Sequence, residues 1–76
     1  MTVTELRRLY RDNALVEAII EPAAQEGSWV LEFRHVKGGL VALTDPLGEE
    51  CQYGDLDTAT KSAMVVGFQQ VRIESK

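Results

Sequence analysis

Hydrophobic and polar positions change period twice along this chain. Leu6, Leu9 and Tyr10 recur three and four residues apart, which predicts an amphipathic helix from Val3 to Asn13. Thr2-Val3-Thr4-Glu5 supplies its start, a capping box in which the Thr2 hydroxyl and the Glu5 carboxylate each accept the other's backbone amide. Glu5, Arg8 and Asp12 fall at ion-pairing distances on its solvent side. Beyond Asn13 the period drops to two. Leu15 to Ala24 reads as a strand whose far end Pro22 confines to an edge or bulge. After the turn Gln25-Glu26-Gly27-Ser28, the strongest strand runs from Ser28 to Val36, with Trp29, Leu31 and Phe33 on one face and Val30, Glu32 and Arg34 on the other. Gly38-Gly39 predicts a two-residue hairpin into a strand from Leu40 to Thr44. Asp45-Pro46-Leu47-Gly48 fits a type I turn before a short strand from Glu50 to Tyr53. Helical spacing then returns at Leu56, Ala59, Thr60, Ala63, Met64 and Val66, capped by Asp55 and stopped by Gly67. Phe68, Val71 and Ile73 form a closing strand pattern.

The expected fold is α+β in the order α-β-β-β-β-α-β, one small domain over residues 1–76, with a mainly antiparallel sheet packed against two helices. Trp29, Leu31 and Phe33 would line the face that both helices cover. On the other face, Val30, Val36, Val41 and Leu43 would form an exposed apolar patch, and such patches are contact surfaces; helices on opposite faces of the sheet would instead simply bury them. A chain of 76 residues buries only about 60–65% of its extended surface, so self-association is the natural source of extra burial, and a homodimer is expected. The single cysteine, Cys51, excludes an internal disulfide and fits a reducing cytoplasm. No charged leader precedes a long apolar run, and no stretch is long enough to span a bilayer.

Charge narrows the partners. The net charge is −4, with five basic and six acidic residues in 1–38 and three and six in 39–76. Phosphate neutralisation dominates nucleic-acid affinity, so autonomous nucleic-acid binding is disfavoured. Arg7, Arg11, Arg34 and Lys37 could still form a local basic surface for a DNA backbone if the first helix crosses near the Gly38-Gly39 hairpin. His35 and Cys51 are the lone histidine and cysteine; a nucleophile–base pair needs them in hydrogen-bond reach, which their positions do not imply. Asp45, Glu49 and Glu50 flank a turn and Asp55 with Asp57 opens a helix, without the ligand rhythm of a calcium loop. Gly38-Gly39 precedes no helix and cannot cradle phosphate. No catalytic residue, metal ligand or cofactor is therefore expected.

Leu6-Arg7-Arg8-Leu9-Tyr10, Trp29-Val30-Leu31-Glu32-Phe33, Thr44 to Gly48, Leu56-Asp57-Thr58-Ala59 and Gly67-Phe68-Gln69-Gln70-Val71-Arg72-Ile73 together resemble a family of very small partition-associated proteins carried by bacterial plasmids and integrative elements. The resemblance spans nearly the whole chain and rests on structural motifs. It implies a cytoplasmic accessory to element maintenance that acts by contact with a partition or conjugation protein, and it carries over no catalytic residue. Where members of that family have basic residues around the turn and before the second helix, this chain has Glu49, Glu50 and Asp55. The functional expectation is a non-catalytic protein-interaction module, with a small DNA-binding accessory as the alternative.

Overall fold

A computed structural model describes residues 1–74. Helix α1 (Val3–Arg11) is followed by β1 (Leu15–Pro22), β2 (Trp29–His35), β3 (Leu40–Ala42) and β4 (Gln52–Tyr53), then α2 (Leu56–Val66) and β5 (Arg72–Ile73). This is the α+β order read from the sequence pattern. The sheet runs β3-β2-β1-β5, and β4 pairs with β2 further along the same edge that β3 occupies. Every pairing is antiparallel except that of β1 with β5. Among the described residues, no helix is long and apolar enough to cross a membrane.

Both helices begin as their capping residues dictate. Thr2 Oγ1 accepts from the Glu5 amide at 3.3 Å, while Glu5 Oε1 accepts from the Thr2 amide at 2.9 Å. Asp55 Oδ1 accepts from the Thr58 amide at 2.7 Å. Helix α1 ends at Arg11, two residues earlier than its pattern predicts, because Asn13 turns left-handed (φ 58°) and redirects the chain into β1. Helix α2 ends at Gly67, whose φ of 144° suits glycine alone among residues of ordinary size. Glycine is needed there twice over, since a Cβ at this position would lie 2.5 Å from the Tyr10 ring. The Tyr10 ring also meets Phe68 edge-on at 4.8 Å, and Phe68 leans on Phe33 at 5.7 Å. The stop of α2 thus clamps the end of α1 and the middle of the sheet together.

One core lies between the helices and one face of the sheet. Leu6 of α1 and Ala59, Ala63 and Val66 of α2 pack against Leu15, Ala18, Ile20, Leu31, Phe33 and Leu43. The small alanines let α2 approach the strands closely. Trp29, Leu31 and Phe33 face this layer, as their alternation predicts.

The β2–β3 hairpin corrects the sequence reading. A two-residue turn at Gly38-Gly39 would pair Val36 with Val41; instead residues 35–39 form the loop, and Arg34 pairs with Leu40, Phe33 with Val41 and Glu32 with Ala42. The register moves by an odd number of residues, so every side chain of β3 changes face. Val41 and Leu43 join the helix-covered core, and Leu40 and Ala42 stand on the other face.

Candidate functional site: the uncovered sheet face

Among the described residues, the second face of the sheet carries no helix. Glu17, Ile19 and Glu21 reach it from β1, Val30, Glu32 and Arg34 from β2, and Leu40 and Ala42 from β3, following from strand alternation and cross-strand register. Gln52 of β4, opposite Val30, and Arg72 of β5, opposite Ile19, complete it. Ile19 is fully buried here although it lies outside the helix-side core. Its cross-strand neighbours are Glu32 and Arg72.

Two electrostatic environments share this surface. Around Glu17 the charges are matched. Arg34 Nε donates to Glu17 Oε2 at 2.8 Å, Arg72 Nε donates to Oε1 at 3.1 Å, and Arg72 Nη1 lies 3.7 Å from Glu74. One carboxylate thereby ties β2, β1 and β5, and the guanidinium hydrogen bonds from Arg72 and Arg34 hold it below the usual carboxylate range. Around Glu32 the charges are alike. A hydrogen bond to Glu21, burial, and the negative charges of Glu21, Glu50 and Glu74 push the Glu32 carboxyl up to about 7. Its Oε1 is shielded from solvent and has no hydrogen-bond partner.

The residues singled out from sequence fall apart into different layers. Leu43 is 2% exposed in the helix-side core, Val41 packs against that core, and Val30 is buried, so these three form no exposed apolar patch. Val36 is exposed but lies past the end of β2, where its amide donates to the Ala14 carbonyl. Arg7 and Arg11 stand exposed on α1, in the helical layer, whereas Arg34 is paired with Glu17 on the opposite face of the sheet. With Lys37 in the hairpin loop, the four basic residues do not form one surface. His35 and Cys51 lie toward opposite ends of β2. His35 Nδ1 accepts from the Lys37 amide at the hairpin, and Cys51 immediately precedes the Gln52–Val30 pairing. Asp45 satisfies its own turn, its Oδ1 accepting from the Leu47 and Glu49 amides. Among the described residues, no three His, Cys, Asp or Glu side chains converge to hold a metal ion. A wide recess of about 500 Å³ opens beside β1 between Tyr10, Val16, Phe68, Gln69 and Arg72.

The Glu21–Glu32–Glu50 group escaped sequence reasoning. Alternation placed Glu32 on this face, but only the three-dimensional register brings Glu21 and Glu50 to it. No family model, curated protein or solved structure matches the chain.

Proposed function

We propose that this chain is a non-catalytic protein-interaction module whose contact surface is the uncovered face of the sheet. The observation that carries the reading is that Glu21 and Glu32 lie diagonally on neighbouring strands of that face, with Glu50 near Glu32 and no cation paired to them among the described residues. Like charges on neighbouring strands destabilise a sheet, and a departure of that kind from local consistency is expected where a surface serves binding. The resemblance to partition-associated proteins supplies the setting, an accessory in plasmid or integrative-element maintenance. The DNA-backbone alternative gains nothing from the dispersal of Arg7, Arg11, Arg34 and Lys37. The apolar argument for a homodimer lapses with the burial of Val30, Val41 and Leu43.

A photo-crosslinking side chain placed in turn at Leu40 and Gln52 on the sheet face, and at Lys61 on α2, tests the reading in the cell of origin. Discrete adducts with another protein are expected from the first two positions and none from Lys61. Adducts from Lys61 alone, or the same adducts from all three, would show that the sheet face is not the contact surface.

A further inference from the structure

Strand β1 is paired unequally on its two sides. Strand β2 runs beside it from Leu15 to Pro22, but β5 pairs only with Ile19 and Ile20. From Leu15 to Ala18 that second edge has no strand beside it among the described residues. The chain leading into β5 swings away instead. The Gly67 and Phe68 amides turn back to the Ala63 carbonyl, and Gln69 and Gln70 pass β1 without pairing. The space between is the recess of about 500 Å³. Tyr10 and Phe68 line it on the helix side, and Glu17 and Arg72, already bonded to each other, on the other.

One backbone group in this recess lacks a partner. The Glu74 amide reaches the Ile20 carbonyl, so the backbone groups of Ile20 point toward β5, and those of Ala18, two residues earlier, point the same way. The β5 ladder begins at the Ile19–Arg72 pair, which leaves no β5 carbonyl for the Ala18 amide. Phe33, opposite Ala18, turns its own backbone groups toward β3, on the side where the Leu43 amide donates to the Leu31 carbonyl. The Ala18 amide thus has no acceptor among the described residues, although Ala18 is only 1% exposed. Buried amides without partners are rare, because losing water without gaining a carbonyl is costly. At the far end of the same edge Pro22 removes the donor altogether, whereas no proline or lysine blunts the stretch from Leu15 to Ala18.

We propose that this recess takes an extended segment of a partner protein as an added strand beside Leu15 to Ala18. A carbonyl of that segment accepts from the Ala18 amide, and its side chains of one parity lie on Tyr10 and Phe68. A row of backbone donors and acceptors is matched in series by another extended backbone, with apolar side chains at alternate positions supplying the remaining contact. Val16, the extra residue at the β1 bulge, is exposed and lines the recess, which adds to that apolar surface. Glu17 and Arg72 satisfy each other, so the segment needs no charge there. The sheet edge of a second folded copy does not fit. Gln69 and Gln70 wall the recess on the side away from β1, where the neighbouring strand of that copy would have to lie. This edge is separate from the uncovered face, and the two contacts are testable apart.

Hydrogen exchange followed by NMR tests the unbound protein first. The Ala18 amide should exchange at least about tenfold faster than the Ile19 amide, which faces β2. Equal protection would mean that Ala18 already has an acceptor, and would overturn the proposal. The binding probe is a phage-displayed library of random eight-residue peptides, panned on the full chain. Selected peptides should alternate apolar and polar residues and lack proline at their centre. The most enriched peptide should protect the Ala18 amide, and N-methylation of the peptide should abolish binding at alternate residues only. Val16→Lys should weaken binding by about tenfold or more, and Val36→Lys, equally exposed but away from the recess, by less than about twofold. No enrichment, equal losses in the two variants, or a peptide that leaves Ala18 exchanging freely would each overturn the proposal. So would self-association in sedimentation that Val16→Lys abolishes, which would seat a second copy on the edge. Crosslinks from Leu40 and Gln52 without peptide binding at the recess would reject the added strand and leave the uncovered face as the contact surface.

Discussion

The two faces of β1 and β2 are built from alternate residues of the same strands and do opposite things. Trp29, Leu31 and Phe33 point into a dry layer closed by Leu6, Ala63 and Val66. Val30, Glu32 and Arg34 point the other way, onto a surface where charged ends lie over a thin apolar strip. Position along the strand does not distinguish the two sets; what faces them does. The first face is fixed by burial, which is non-directional and tolerant of small shifts. The second depends on charge placement, which changes with each pairing partner. Stability should therefore concentrate on one face and pH sensitivity on the other.

The sharpest way to break that division is to open the covered face. Phe33→Ala removes a fully buried ring that also supports Phe68, and should cost about 3–5 kcal/mol. Chemical denaturation reads this directly; a loss below about 1 kcal/mol would mean the helix-side layer is not the main support. Gly67→Ala comes next. It drives a methyl group into the Tyr10 ring and strains a positive φ, and should cost about 1–3 kcal/mol from crowding alone. Pairing it with Tyr10→Ala separates the two causes: what the smaller residue restores is the clash, and what stays lost is the backbone strain.

The smallest effect belongs to the open face and carries the opposite pH sign from ordinary carboxylates. Glu32 titrates at about 7 when folded against an ordinary 4.5, so the folded chain holds its proton more tightly. Its contribution is full below about 4.5 and is lost as pH rises to about 7. Glu5, Glu17 and Asp55 are held below their ordinary values, so their contributions are present at neutral pH and disappear on acidification through their folded pKa values. Melting temperature should accordingly decline from mildly acidic to neutral pH, and Glu32→Gln should remove that decline while leaving the acid limb unchanged. Identical profiles for the variant and the wild type would sink the assignment.

The order of elements was legible because each boundary is set by local chemistry. Thr2 and Glu5 start one helix, Asp55 starts the other, Asp45 closes its turn, and Gly67 stops α2. The covered face of β2 was legible from its alternation. The partnering of β3 was not. Two consecutive glycines look like a complete hairpin turn, yet the loop takes in His35, Val36 and Lys37 as well, with the His35 amide donating to Gly39 and the Gly38 amide to His35. That miscount moved Val41 and Leu43 to the wrong face and invented an apolar patch. The same dependence on register hid the acidic group, since Glu21, Glu32 and Glu50 lie on three separate segments and no spacing in the chain brings them together.

The parallel pairing of β5 with β1 rests on only two residue pairs and joins segments far apart in the chain, with the Glu74 amide closing onto the Ile20 carbonyl at 2.8 Å. Closing so long a loop costs entropy that a short ladder barely offsets, whereas β1 and β2 zip through a nearby turn. In native-state hydrogen exchange the Glu74 amide should therefore be released well before the amides shared by β1 and β2. Each such opening lays bare the β1 edge beside Ile19 and Ile20 and leaves it able to accept a strand from another chain. The Glu17–Arg72 contact, half open to solvent, is the part of that latch that dissolved salt weakens. Ionic strength thereby sets how often the edge of this sheet is on offer.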